Sequence, residues 1–183
     1  MEKKDFVIIR YGHRDVRDYR VTSHCALVSR AFGASKMIVC ESRDEIAENT
    51  LKGVCERWGG NFKVEFIESW KTAITQLKKK GYTTVHLTMY GIPVQEADEK
   101  IGQLNKVAIL IGSQKVEREV YDTVDYNVSV TNQPHSEIAA LAVFLDRVQK
   151  GKELEKDFKG SKIQIVPQER GKKVISSEKQ KNK

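Results

Sequence analysis

The stretch Asn132-Gln133-Pro134-His135-Ser136-Glu137 places polar or ring-constrained residues between a strand-like run ending at Val130 and an apolar run with helical spacing. Its His135 is a candidate proton acceptor, because imidazole titrates near neutrality. Two other polar stretches also succeed apolar strand-like runs: Leu87-Thr88-Met89-Tyr90-Gly91 and Gly112-Ser113-Gln114-Lys115-Val116. With Val130-Thr131 ahead of the polar turn, these loops are rich in backbone donors and amide side chains and poor in acids. Such loops suit a purine base carrying a polar or zwitterionic tail, held by main-chain contacts and a few side chains. S-adenosylmethionine fits that description. Nearer the N-terminus, His13, Arg14, Arg17 and Arg20 cluster cations that can hold a phosphate backbone. Arg14-Asp15 and Arg17-Asp18 could equally pair with each other on a helical face.

Other chemistries lack their residues. No Gly-x-Gly-x-x-Gly succeeds a strand, and there is no Walker lysine loop or Gly-x-Ser-x-Gly elbow. Cys25, Cys40 and Cys55 form no Cys-x-x-Cys pair and read as buried thiols in a reducing compartment. His13, His24, His86 and His135 never stand at ligand spacing with a cysteine, so no metal site is expected.

The candidate loops need elements to hold them, and the chain supplies alternating ones. Strand-like runs at 6–9, 37–40, 62–67, 83–89, 106–111 and 127–130 alternate with helical patterns at 21–32, 45–58, 69–80, 95–104, 117–123 and 136–150. Ser42-Arg43-Asp44-Glu45 has the form of a capping box opening the second helix. Such alternation predicts an α/β fold, a mostly parallel sheet covered by helices on both faces, with ligands beyond the carboxyl ends of the strands.

The 183 residues suit one domain, taken as 1–168, with a basic, flexible tail at 169–183 that is rich in Lys and Arg. Hydrophobic residues make up 39%, enough for a core, and the net charge of +7 favours a polyanionic partner. No apolar run approaches the roughly 20 residues of a membrane helix. The N-terminus lacks the features of a signal peptide. A cytoplasmic protein is expected.

Several stretches, read together and in order, resemble one family. They are "YGHRDVRDYRVTSHCALVSRAFGA", "ERWGG", "HLTMYG", "IGSQKV", "EVYDTVDYNVSVTNQPHSEIAALAVFLDR" and "IVPQERGKKV". The sequence is similar to the archaeal tRNA 2′-O-methyltransferases that act on cytidine 56, within the SPOUT (trefoil-knot) superfamily. The resemblance implies a deep trefoil knot in the C-terminal half, S-adenosylmethionine as cofactor, tRNA as substrate and a homodimer with no metal. It places the cofactor at Leu87, at Gly112, Ser113, Gln114, Lys115 and Val116, and at Val130 through Glu137. In that third loop, Pro134 is expected to stiffen the turn and start the helix.

The resemblance also implies that Arg30, on the first helix, stabilises the developing alkoxide of the ribose. Related enzymes carry an asparagine six residues earlier, where this chain has His24. Two alternatives stand beside this reading: action on another RNA site, or a non-catalytic RNA-binding module.

Overall fold

The structure is a computed structural model and describes residues 4–12, 19–41, 43, 45–112 and 116–176. Six strands form one sheet: β1 (Asp5–Tyr11), β2 (Lys36–Cys40), β3 (Lys63–Ile67), β4 (Thr83–Pro93), β5 (Lys106–Gly112) and β6 (Tyr126–Ser129). Their order is β3-β2-β1-β5-β4-β6, and every pairing is parallel. The helices are α1 (Tyr19–Ala31), α2 (Glu45–Trp58), α3 (Trp70–Lys79), α4 (Val94–Gly102), α5 (Arg118–Thr123) and α6 (Glu137–Gln149).

Alternation along β1 sorts the two faces. Phe6 and Ile8 join Cys25 and Ala26 of α1, Leu51 of α2, Ala97 and Ile101 of α4, and Leu141 and Phe144 of α6 in one core. Val7 and Ile9 join Trp70, Ala73 and Ile74 of α3 and Val120 of α5 in a second. Strands buried on both faces explain why β1, β2 and β5 read as continuous apolar runs. Trp70 is a core residue, edge-on to Tyr11 with ring centroids 6.3 Å apart. Cys25 and Cys40 are buried free thiols, both pushed up to about 12, chiefly by burial.

Two elements differ from the sequence expectation. β4 runs to Pro93 rather than stopping at Met89, with a break in register where both Leu87 and Ile92 align with Val128. The residues between them, Thr88-Met89-Tyr90-Gly91, leave the ladder as a bulge. Gly91 is required there, since a Cβ would lie 2.4 Å from the Asn127 and Val128 backbone. The expected boundary at 168 falls inside an antiparallel hairpin, β7 (Ile163–Val166) with β8 (Lys173–Ser176). Residues 177–183, and Ser42 and Asp44 of the expected capping box, lie outside the described residues.

Candidate cofactor cavity and active site

A cavity of about 400 Å³ opens at the carboxyl ends of β4 and β5. β4 and its bulge contribute His86, Leu87, Thr88, Met89 and Tyr90; β5 contributes Ile111 and Gly112. Val116 and Tyr121 close one side, and His135, Glu137 and Ala140 the other. Of the expected cofactor residues, the fold thus brings Leu87, Gly112, Val116, His135 and Glu137 to one cavity. Ser113, Gln114 and Lys115 lie outside the described residues, as do His13, Arg14 and Arg17.

The third loop is polar largely for its own construction. Asn132 Nδ2 donates to Met89 O at 2.7 Å, tying this loop to the β4 bulge. Gln133 N donates to Thr131 Oγ1 at 3.2 Å, and Ser136 Oγ accepts from Ile138 N at 3.2 Å as the N-cap of α6. Val130, Thr131, Asn132, Gln133, Pro134 and Ser136 are not among the cavity's lining residues. Pro134 stands two residues before the N-cap Ser136, so it stiffens the approach rather than the first helical turn.

His135 Nδ1 lies 2.6 Å from Gln133 O. A carbonyl can only accept, so Nδ1 carries the proton in that bond, and Nε2 of the neutral ring keeps its lone pair. His86 is fixed by a similar chain. Asn127 Nδ2 donates to Tyr121 O at 2.8 Å, so Asn127 Oδ1 accepts from His86 Nδ1–H at 3.0 Å. The His86 ring is buried, edge-on to Tyr121 at 4.7 Å, and burial lowers its pKa despite the Asn127 bond. It is a neutral imidazole in the cavity wall.

Arg30 lies elsewhere. A helix succeeding a parallel strand runs back to the amino edge of the sheet, and Arg30 is in the last turn of α1. Its Nη2 donates to Trp58 O at 3.0 Å and Gly59 O at 2.7 Å, the last carbonyls around the end of α2. Its Cζ lies 4.2 Å from the Phe158 ring centre. The side chain is buried and does not line the cavity. Arg20, in the first turn of α1, is at the cavity edge of the sheet and exposed. His24 is exposed on the same helix.

Several site residues carried no individual expectation. Thr88, Met89 and Tyr90 sit in the β4 bulge, which brings them to the cavity. Tyr121 is placed by α5, where its hydroxyl lies 3.2 Å from Thr88 Oγ1. Arg10 is a charged residue within the apolar run Phe6-Val7-Ile8-Ile9-Arg10-Tyr11, a signal that could have marked it. The carboxyl edge is also less poor in acids than the loops suggested. Burial raises Glu41 and Tyr11, with further contributions from Glu117 to both and from Glu41 to Tyr11. Among the described residues, no three-ligand metal cluster occurs and no helix is long and apolar enough to cross a membrane.

Comparison with known proteins gives the lineage. The family model described as "tRNA ribose 2'-O-methyltransferase, aTrm56" matches residues 58–175. The chain belongs to this family. A Thermococcus kodakarensis tRNA (cytidine(56)-2'-O)-methyltransferase is 49% identical over 96% of this chain and 99% of its own length. A Methanopyrus kandleri protein of the same name is 45% identical over 92% and 94%. Among solved structures, the "A. aeolicus TrmH/SpoU tRNA modifying enzyme" superposes with a TM-score of 0.61 at 13% identity, covering 84% of this chain and 78% of its own. A SpoU methyltransferase, AviRb from Streptomyces viridochromogenes in complex with AdoMet, superposes with a TM-score of 0.59 at 13% identity, over 81% and 57%. At such identities the likeness shows the shared α/β methyltransferase fold.

Proposed function

We infer that this protein transfers a methyl group from S-adenosylmethionine to the ribose 2′-hydroxyl of cytidine 56 in tRNA. The observation that carries the reading is near full-length identity to relatives of that name, with the loops of greatest resemblance enclosing one cavity. The cavity fits the cofactor's chemistry: apolar walls from Leu87, Met89 and Ile111, the ring nitrogens of His86 and His135, and the carboxylate of Glu137. When bound, the cofactor supplies an electrophilic methyl group. The chain's own part is to align the hydroxyl and receive its proton.

Positioning supplies most of the rate in such a transfer. His135 is the proposed proton acceptor: Gln133 O holds Nδ1–H, leaving Nε2 to take the ribose proton at the cavity rim. His13, Arg14, Arg17 and Arg20 are proposed to hold the tRNA backbone, and Arg20 stands on the same edge as the cavity. Arg30 is proposed as a brace between α1 and the end of α2.

The family reading further proposes a knotted C-terminal half, a cytoplasmic homodimer and no metal requirement. Ala139 and Val143 are exposed on α6, opposite the buried Ala140, Leu141, Phe144, Leu145 and Val148, and this supports that helix as a subunit contact. Label transfer from methyl-labelled cofactor to unmodified tRNA, with mapping of the modified nucleotide, tests the whole reading. The expected product is 2′-O-methylcytidine 56; a methyl group on a base, or on another ribose, overturns it.

A further inference from the structure

Arg10 is fully buried and among the largest side chains of the interior. It ends the apolar run of β1 on the face covered by α1 and α6. A guanidinium in such a place is costly unless its donors are met. Nε donates to Thr22 Oγ1 at 3.3 Å, and Nη1 donates to Glu137 Oε1 at 3.1 Å. Nη2 is buried and has no hydrogen-bond partner among the described residues.

Glu137 opens α6, and its side chain keeps 26% of its surface accessible where it joins the cavity wall. The pair therefore spans that wall, with the cation wholly inside and the anion partly facing the cavity. The start of α6 already favours a negative group at this position. What Arg10 adds is direction, because Oε1 is taken from within and Oε2 is left for the cavity. Well-packed apolar residues would serve stability at least as well as a buried ion pair.

We propose that Arg10 is a positioning residue that pins Glu137 so that Oε2 accepts the cationic end of the methyl donor, its ammonium or its sulfonium. This rests on the cofactor reading above. It adds a residue that touches no ligand and a polarity for the cavity, with the donor's positive end toward the start of α6.

Titration calorimetry on the full chain separates the possibilities, using S-adenosylmethionine and its demethylated product as probes. The product keeps the ammonium and lacks the sulfonium charge. Glu137→Gln is expected to weaken binding about tenfold or more. Loss for both ligands assigns the ammonium, and loss for S-adenosylmethionine alone assigns the sulfonium. Arg10→Met should give the same loss, and adding Glu137→Gln to it should change little further, because the two act as one unit. Arg10→Lys, which keeps the charge without the fork, should fall between. Unchanged affinity of Glu137→Gln for both ligands overturns the proposal. So does an Arg10→Met protein that melts earlier but binds both ligands within about twofold of the parent. If Arg10→Met does not fold, Glu137→Gln alone decides. Failure of the unaltered protein to bind either ligand would instead refute the cofactor reading.

Discussion

The sheet carries a cavity at each edge, and the larger one is not the candidate site. The amino-edge cavity is about 920 Å³, against about 400 Å³ at the carboxyl edge. It is also the more basic, with Lys4, Lys106, Lys156 and Lys159 in its wall. Helix direction explains the difference. In a parallel α/β sheet every crossover helix ends at the amino edge, so unsatisfied carbonyls and negative dipole ends gather there. Lys4 donates to Gly102 O at the end of α4, and Lys106 to Lys80 O beyond α3 at 3.1 Å. Lys156 donates to Gly33 O beyond α1 at 3.0 Å, and Arg30 serves the end of α2. Lys4, Lys106, Lys156 and Arg30 are thus already occupied by the fold. At the carboxyl edge the helices begin, and the described residues around open space include the rings of His86, Tyr90, Tyr121 and His135 and the carboxylate of Glu137. Volume and basicity alone point to the amino edge, away from the candidate site.

Matched glycine substitutions give the largest contrast. At Gly91 an added Cβ would lie 2.4 Å from the Asn127 and Val128 backbone; at Gly59, where φ is +76°, it would lie 2.6 Å from Lys159 O. Each alanine replacement should cost roughly 3 kcal/mol of stability, from overpacking at Gly91 and from overpacking with strain at Gly59. They should part on binding: the folded fraction of Gly91→Ala loses cofactor affinity, and that of Gly59→Ala keeps it. Denaturant melts and calorimetry on both proteins would expose equal affinity losses, which would erase the distinction between edges.

His135→Ala tests the carboxyl edge alone. Removing a general base typically costs about a hundredfold or more in turnover. Cofactor affinity and tRNA KM should move far less, so a change confined to KM would reassign the residue to binding.

Arg30→Ala tests the amino edge. Loss of two charge-assisted hydrogen bonds to Trp58 and Gly59 should lower stability by about 2 kcal/mol, read as a lower denaturant midpoint. Turnover by the folded protein should be nearly unchanged; a hundredfold fall at full folding would instead support direct stabilisation of the ribose oxygen.

The smallest expected effect is a pH slope from His86. Burial lowers its pKa below the usual 6.5, so between the folded and unfolded values the unfolded chain binds more protons. The contribution is intact above about 6.5 and is lost as pH falls below it. His86→Gln should flatten the fall in denaturant midpoint between about pH 7.5 and about 5.5. Asp125 acts lower on the scale. Burial raises it, but Thr84 N–H, Thr84 Oγ1–H and Lys78 outweigh that and hold it below 3.8. Stability from its bridge between β4 and β6 should fade as pH drops through that range.

The elements were legible because burial on both faces leaves unbroken apolar runs, and amphipathic helices leave a periodic pattern. Ser69 and Ser136 appear in the sequence at the positions where they cap α3 and α6. Leu87, Gly112, Val116, His135 and Glu137 were legible from their place at or just past the carboxyl ends of strands, where a parallel sheet opens to ligands. Thr88, Met89 and Tyr90 needed the register break in β4, which no local pattern announces. Arg30 looked chemical within its motif, and where it lies depends on which way α1 runs.

The sequence by itself determined the alternation of strand and helix, the family and the strand ends that bear loops, because these rest on local periodicity and ordered motifs. Only the tertiary structure decided which loops and side chains enclose a cavity and which charges are already consumed. Strand order, helix direction and the meeting of Arg10 with Glu137 across 127 residues are long-range contacts. Such contacts are fixed by packing and by the need to satisfy buried charge, and neither is a property of any single stretch of chain.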